Sequence, residues 1–115
     1  MVDDDVDLLE ALSEILESEG FGIRQARNGL QALELLEPPR PNLILLDLMM
    51  PVMDGWEFAE RIRGRPDWAQ IPVIVLSADR NIRDNARKLG AAAYLAKPFE
   101  LSQLLSLVQA SLTSS

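Results

Sequence analysis

Hydrophobic residues recur along this chain with two different spacings, and each spacing predicts a different element. In some stretches an apolar residue returns every three or four positions, which is typical of a helix with one buried face. In others the apolar residues form short continuous runs, which are typical of parallel strands covered on both sides. The predicted helices lie at 8–16, 30–36, 56–63, 81–89 and 101–112, and the predicted strands at 1–2, 21–26, 43–46, 71–76 and 92–96.

Strands and helices alternate in this order, so the sequence predicts an α/β fold with a five-stranded parallel sheet and helices on both faces. Turn residues support several of the boundaries. Gly20 follows the first helical stripe, Asn28 can cap the second helix, and Pro38-Pro39 ends it. With 115 residues, the chain is expected to form a single domain over 1–115.

Composition and charge exclude several classes of function. The sequence has no cysteine and no histidine, which excludes thiol catalysis, Ser-His triads and the usual zinc sites. The net charge is −7, and residues 1–20 hold eight acids and no base. We therefore expect no direct contact with nucleic acid. No apolar run is long enough to span a membrane, so no membrane contact and a cytoplasmic location are expected.

Polar residues stand at the carboxyl ends of four predicted strands: Asp3-Asp4-Asp5, Asp47, Ser77 and Lys97. Ligands of open parallel sheets bind outside these ends. Clustered carboxylates repel one another unless a cation lies among them, and oxygen ligands suit Mg²⁺, with Mn²⁺ as the other candidate. A lysine and a hydroxyl beside that metal suit a phosphoryl group, and an aspartate can itself be the nucleophile.

Each of these residues also has a purely structural explanation. The acids at the N-terminus suit the start of a helix, Ser77 suits a turn, and Lys97 suits a solvated loop. Asp47 is more informative, because an apolar run precedes it directly. Since all of them fall at strand ends, the joint pattern favours a functional site.

Four segments resemble the signatures of response-regulator receiver domains, and they occur in the same order. They read VDD at 2–4, LILLDLMMPVMDG at 43–55, IPVIVLSA at 71–78 and AYLAKPF at 93–99. The resemblance covers nearly the whole chain. It implies a flavodoxin-like, doubly wound sheet with the strand order 2-1-3-4-5.

The resemblance also implies roles for single residues. Asp47 is the expected phosphoacceptor, Ser77 and Lys97 would bind phosphoryl oxygens, and the bond from Lys97 to Pro98 is expected to be cis. For Mg²⁺, Asp4 and Asp47 would be direct ligands. Asp3 would be an outer-shell partner of the metal through a water, and Met49 would be a ligand through its backbone carbonyl.

Further expectations concern switching and partners. Tyr94 would turn inward as Ser77 moves to the phosphoryl group, and Met49 and Asp79 are expected to tune the dephosphorylation rate. Because the chain has no histidine, a histidine kinase or histidine phosphotransfer protein would donate in trans. A downstream protein would receive the signal. A homodimer could form through the helix 81–89, strand 92–96 and last helix, or by a segment swap.

One feature departs from the resemblance: only Met1 and Val2 precede the acidic pair. The first strand therefore looks truncated, and a less stable domain is expected. Two other functions stay open. A pseudo-receiver would bind partners without phosphorylation, and a phosphatase of the haloacid-dehalogenase type would also use a strand-end aspartate. The phosphatase is disfavoured, since it needs a second aspartate where this chain has Met49.

Overall fold

The computed structural model describes residues 1–37, 40–48 and 53–113. Along them the elements are α1 (Val6–Ser18), α2 (Gly29–Glu34), β1 (Ile44–Asp47), α3 (Gly55–Arg63), α4 (Pro66–Ala69), β2 (Val73–Ser77), α5 (Ile82–Leu89), β3 (Ala93–Ala96) and α6 (Leu101–Thr113). Each predicted helix is present, with boundaries shifted by a few residues. The short helix α4 was not predicted.

The three strands form one parallel sheet in the order β1-β2-β3. The prediction of five strands is therefore not confirmed. The two remaining segments take part only through isolated parallel bridges, from Val2 to Ala26 on one side and to Leu46 on the other. Val2 hydrogen-bonds to Leu45 and Asp47 on one side, and its neighbours Met1 and Asp3 hydrogen-bond to Ala26 on the other.

Alternating residues of the strands face opposite layers of helices. Ile44 and Leu46 of β1 pack into a cluster with Phe58 of α3 and Ala86 of α5. Leu45 packs into a second cluster. That second cluster also contains Leu12 and Leu16 of α1, Ile74 and Leu76 of β2, and Leu104 and Val108 of α6. The predicted covering of the sheet on both faces is confirmed.

Local sequence explains where the helices begin and end. The side chains of Asp5, Asn28 and Asp54 each accept a hydrogen bond from a first-turn N–H of the helix that follows, which satisfies a group that the helix leaves free. At the other end, α5 stops at Gly90, whose φ of 71° is a conformation that favours glycine. Pro38 and Pro39 lie outside the described residues.

Candidate functional site

The carboxyl ends of the parallel strands bring the predicted site residues to one edge of the sheet. Asp47 ends β1 and Ser77 ends β2. Lys97 directly follows β3, and its N–H donates to the carbonyl of Ser77 at 2.8 Å. Asp3 and Asp4 directly follow Val2, whose carbonyl accepts from the N–H of Asp47 at 2.9 Å. These backbone bonds place four separate parts of the chain side by side.

Three carboxylates meet at this edge. Asp3, Asp4 and Asp47 each offer an oxygen, and these oxygens all lie within 4.8 Å of one another. Asp3 and Asp47 are buried, whereas Asp4 is exposed and leaves the cluster open to solvent. We call these three residues the carboxylate cluster. Like charges this close repel one another, so the arrangement favours a bound cation.

Lys97 is the cation that the fold itself supplies to the carboxylate cluster. Its Nζ lies 2.7 Å from Oδ2 of Asp3 and 3.8 Å from Oδ1 of Asp47. The peptide bond from Lys97 to Pro98 is cis, as predicted. The ion pair between Lys97 and Asp3 was not predicted, because nothing in the sequence connects two residues 94 positions apart beyond their opposite charges.

Two hydrogen bonds fix the short segment that carries the acidic pair. The N–H of Asp5 donates to Oδ1 of Asp3 at 3.0 Å, while Oδ1 of Asp5 accepts from the N–H of Leu8. The chain therefore turns from Val2 directly into α1 within three residues. This turn holds Asp3 toward Lys97 with few residues of strand to support it.

Gly55 lets the chain pass close behind Asp47. A Cβ atom at this position would lie 2.6 Å from the carbonyl oxygen of Asp47 and 2.7 Å from Cα of Leu48. The N–H of Gly55 donates to the carbonyl of Leu48 at 3.0 Å. Any larger residue would displace the backbone that carries Asp47, which explains the glycine in the 43–55 segment.

Ser77 is buried, and its Oγ accepts a hydrogen bond from the N–H of Asp79 at 3.1 Å. Tyr94 lies on β3 and is 42% exposed, so its side chain faces outward in this structure. Asp79 lies in the loop after β2. Met49, the predicted backbone ligand, lies outside the described residues.

The donor set fits magnesium. Mg²⁺ prefers oxygen ligands and is commonly held by one or two carboxylates together with several waters. The carboxylate cluster provides such oxygens, and its exposed member leaves room for water and for a phosphoryl group. With one lysine beside three carboxylates, the formal charge of the group is negative, which further favours a divalent cation.

The sequence model of the "Response regulator receiver domain" family matches residues 1–109. This chain belongs to that family. Among its relatives, the response regulator MprA of Mycobacterium tuberculosis is 37% identical over 112 residues, covering 96% of this chain and 48% of the relative. The probable transcriptional regulator ycf29 of Porphyra purpurea is 37% identical over 111 residues, covering 95% and 53% respectively. This receiver domain thus spans about half the length of these relatives.

Solved structures agree with this assignment. The receiver domain of a signal transduction histidine kinase from Syntrophus aciditrophicus has a TM-score of 0.88 and 36% identity, covering 98% of this chain and 87% of that one. The response regulator TrrA from Thermotoga maritima, solved in complex with Mg²⁺-BeF, has a TM-score of 0.84 and 32% identity, covering 96% and 95%. The chain therefore is a receiver domain of two-component signalling.

No helix in the described ranges is both long and apolar enough to cross a membrane.

Proposed function

We propose that Asp47 accepts a phosphoryl group in a magnesium-dependent reaction and that this modification switches a surface that binds another protein. The observation that carries the proposal is the carboxylate cluster with Lys97 in contact with it, at 2.7 Å from Asp3 and 3.8 Å from Asp47. A buried carboxylate at the end of an apolar strand is costly unless it is paired. The placement of Asp47 at the end of β1 is best explained by chemistry at this edge of the sheet.

The donor is a phosphohistidine of a histidine kinase or of a phosphotransfer protein, acting in trans. An oxygen of Asp47 attacks the phosphorus, an O–P bond forms, and the P–N bond to the donor histidine breaks as the imidazole leaves. The ammonium of Lys97 and the hydroxyl of Ser77 bind two of the phosphoryl oxygens. Ser77 ends the strand beside that of Asp47, and the ammonium of Lys97 lies 3.8 Å from Oδ1 of Asp47.

Asp4 and Asp47 would hold Mg²⁺ directly, with Asp3 acting through a water and Met49 through its backbone carbonyl. When bound, the metal ion supplies positive charge that neutralises the phosphoryl oxygens. Mn²⁺ would serve in the same set of oxygen ligands.

The switch is assigned to Ser77 and Tyr94. As Ser77 moves toward the phosphoryl group, the exposed ring of Tyr94 turns inward, and the surface of α5, β3 and α6 changes. That surface is proposed to bind the downstream protein or a second copy of the chain, whereas a segment swap is the other route to a dimer. Residues 1–115 act as one domain in the cytoplasm, without contact to nucleic acid or membrane.

Intact-protein mass spectrometry after incubation with acetyl phosphate tests the proposal. A single phosphoryl adduct is expected with Mg²⁺, and none is expected with EDTA or in Asp47→Asn. Since the chain has no histidine, an adduct on that residue type cannot confuse the result. Asp54→Asn is the matched control, because Asp54 is an exposed helix cap. A folded chain without an adduct would instead favour the pseudo-receiver, which binds partners without phosphorylation.

A further inference from the structure

A short chain of hydrogen bonds connects Ser77 to the helix α5. The N–H of Asp79 donates to Oγ of Ser77 at 3.1 Å. The carboxylate of Asp79 accepts from the backbone N–H of Asn81 at 2.8 Å and from Nδ2 of Asn85 at 3.2 Å. Asp79 is therefore held on the helix by its side chain while its backbone holds the hydroxyl of Ser77.

Asn85 is the unusual member of this series of hydrogen-bonded residues. It is 8% exposed and lies on the buried face of α5, which it shares with Ile82, Ala86 and Leu89. An amide among apolar residues costs free energy unless it is hydrogen-bonded, and packing alone would favour an aliphatic residue there. Its contact with the Asp79 carboxylate explains why an amide occupies this position.

We propose that Asn85 is a positioning residue that acts through Asp79 on Ser77 and sets how readily the Ser77 hydroxyl moves to the phosphoryl group. The inference rests on the proposed function, since it concerns the same movement of Ser77. Before phosphorylation, Asn85 anchors Asp79, and Asp79 keeps the hydroxyl in its resting place. When Ser77 moves, either the bond from Asp79 breaks or Asp79 is drawn along.

The case in which Asp79 moves together with Ser77 explains how the signal would reach α5. If Asp79 is drawn toward the site, the buried amide of Asn85 loses its acceptor unless the helix follows. The helix therefore moves with Ser77, and the same bond that resists the movement transmits it. Removing the amide is expected to ease the movement of Ser77 and to uncouple α5 from it.

The test uses Asn85→Leu and titration with beryllofluoride and Mg²⁺, an analogue of the phosphoryl group, followed by ¹H–¹⁵N NMR of the full chain. We expect binding to become about tenfold tighter, the effect of one hydrogen bond to a charged acceptor. The amide shifts of α5 on binding are expected to shrink. Asn81→Ala is the matched control, because it removes an exposed side-chain amide from the residue just before α5 and leaves the backbone bond to Asp79.

Two variants that exchange the amide and the carboxylate test the hydrogen bond between residues 79 and 85 itself. Asn85→Asp places two carboxylates face to face and should act like Asn85→Leu. Asp79→Asn combined with Asn85→Asp restores an amide–carboxylate hydrogen bond and should return both the affinity and the α5 shifts toward those of the unsubstituted chain. These variants keep a polar pair in place, so they also test the proposal if Asn85→Leu does not fold.

Two results would overturn the inference. Unchanged or weaker binding in both Asn85→Leu and Asn85→Asp, with full α5 shifts, would show that the amide only supports the helix. Failure of the double variant to recover would show that the hydrogen bond is not the cause. If the unsubstituted chain does not bind beryllofluoride, the proposed function itself fails and the inference fails with it.

Discussion

Lys97 has two structural tasks at the carboxylate cluster, because its Nζ contacts both buried members of the cluster. The side chain of Asp3 is 3% exposed and that of Asp47 is 8% exposed, whereas that of Lys97 is 23% exposed. The ammonium therefore reaches inward from a partly hydrated position. A buried carboxylate that loses its cation is left uncompensated, which costs more than an exposed ion pair contributes.

Lys97→Met should therefore lower the free energy of unfolding measured with urea in the absence of divalent metal. We expect a loss of about 1–3 kcal/mol, reduced from that of a fully buried pair because water reaches Lys97. Lys88→Met is the matched control, since Lys88 is the only other lysine and is exposed. Equal stability of the two variants would show that the cluster tolerates its own charge.

The amino group of Met1 predicts a pH dependence. Burial lowers the pKa of this group from 8.0 to about 6, and the group donates to the carbonyl of Arg24 at 2.9 Å. Between these two pKa values the unfolded chain binds more protons than the folded one. Stability is thus fully present above pH 8 and falls as the pH drops toward 6.

With no histidine in the sequence, no side chain normally titrates in this range, so the effect is easy to isolate. We expect the free energy of unfolding to fall by about 1 kcal/mol between pH 8 and pH 6, since partial hydration reduces the effect. Thermal unfolding of the 115-residue chain at both pH values measures it. The same change in an N-terminally acetylated chain would contradict the assignment to Met1.

Among the elements, those with a strong local signal were predicted well. β1 and β2 coincide with short continuous apolar runs, and α6 coincides with a long apolar stripe at helical spacing, so the length and spacing of the apolar residues predict their type. Phe21–Ala26 was predicted as a strand but pairs only at Ala26. Strand formation there depends on a neighbouring segment, which the local pattern cannot show. The sequence predicted Asp47, Ser77 and Lys97 as a group, because each stands at the end of a predicted strand. It missed the contact of Asn85 with Asp79, because the local pattern does not show such a contact.

The space ahead of Met1, between the segments of Leu45 and Arg24, shows what a longer first strand would contribute. Val2 donates to the carbonyl of Leu45, and Met1 accepts from the N–H of Ala26. Both peptide groups of one residue in a parallel strand point to the same side. By this alternation the N–H groups of Leu45 and Arg24 face the continuation of the strand, which opens into a cavity of about 570 Å³.

Adding three residues, Val-Ile-Val, ahead of Met1 should fill this cavity and continue both ladders. The gain in free energy of unfolding is expected to be about 2 kcal/mol, because burial of the three apolar side chains, at about 1.5–3 kcal/mol each, together with the new hydrogen bonds exceeds the cost of ordering the segment. Urea unfolding measures the gain. A Gly-Ser-Gly extension of equal length should give little, since it lacks apolar side chains, and an equal gain from both would refute the strand explanation.

Across the whole molecule, charge and stability are linked through the carboxylate cluster. Eight of the acids lie in the first 20 residues, which contain no base, and two of them belong to the cluster. The acids of this N-terminal segment therefore repel one another in the folded domain. A divalent cation that binds only the folded arrangement stabilises the whole domain by mass action.

Mg²⁺ should accordingly raise the thermal midpoint of the unmodified domain. At a concentration ten times the dissociation constant the expected gain is about 1.4 kcal/mol, or several degrees for a domain of this size. Asp4→Asn should abolish the Mg²⁺-dependent part while changing the metal-free midpoint little, because Asp4 is exposed and the amide keeps its shape. Asp7→Asn, an exposed acid of α1 outside the cluster, should keep the full response. Equal responses in both variants would mean that Mg²⁺ acts through the general negative charge of the first 20 residues rather than at the site, because only a localised ion distinguishes Asp4 from Asp7.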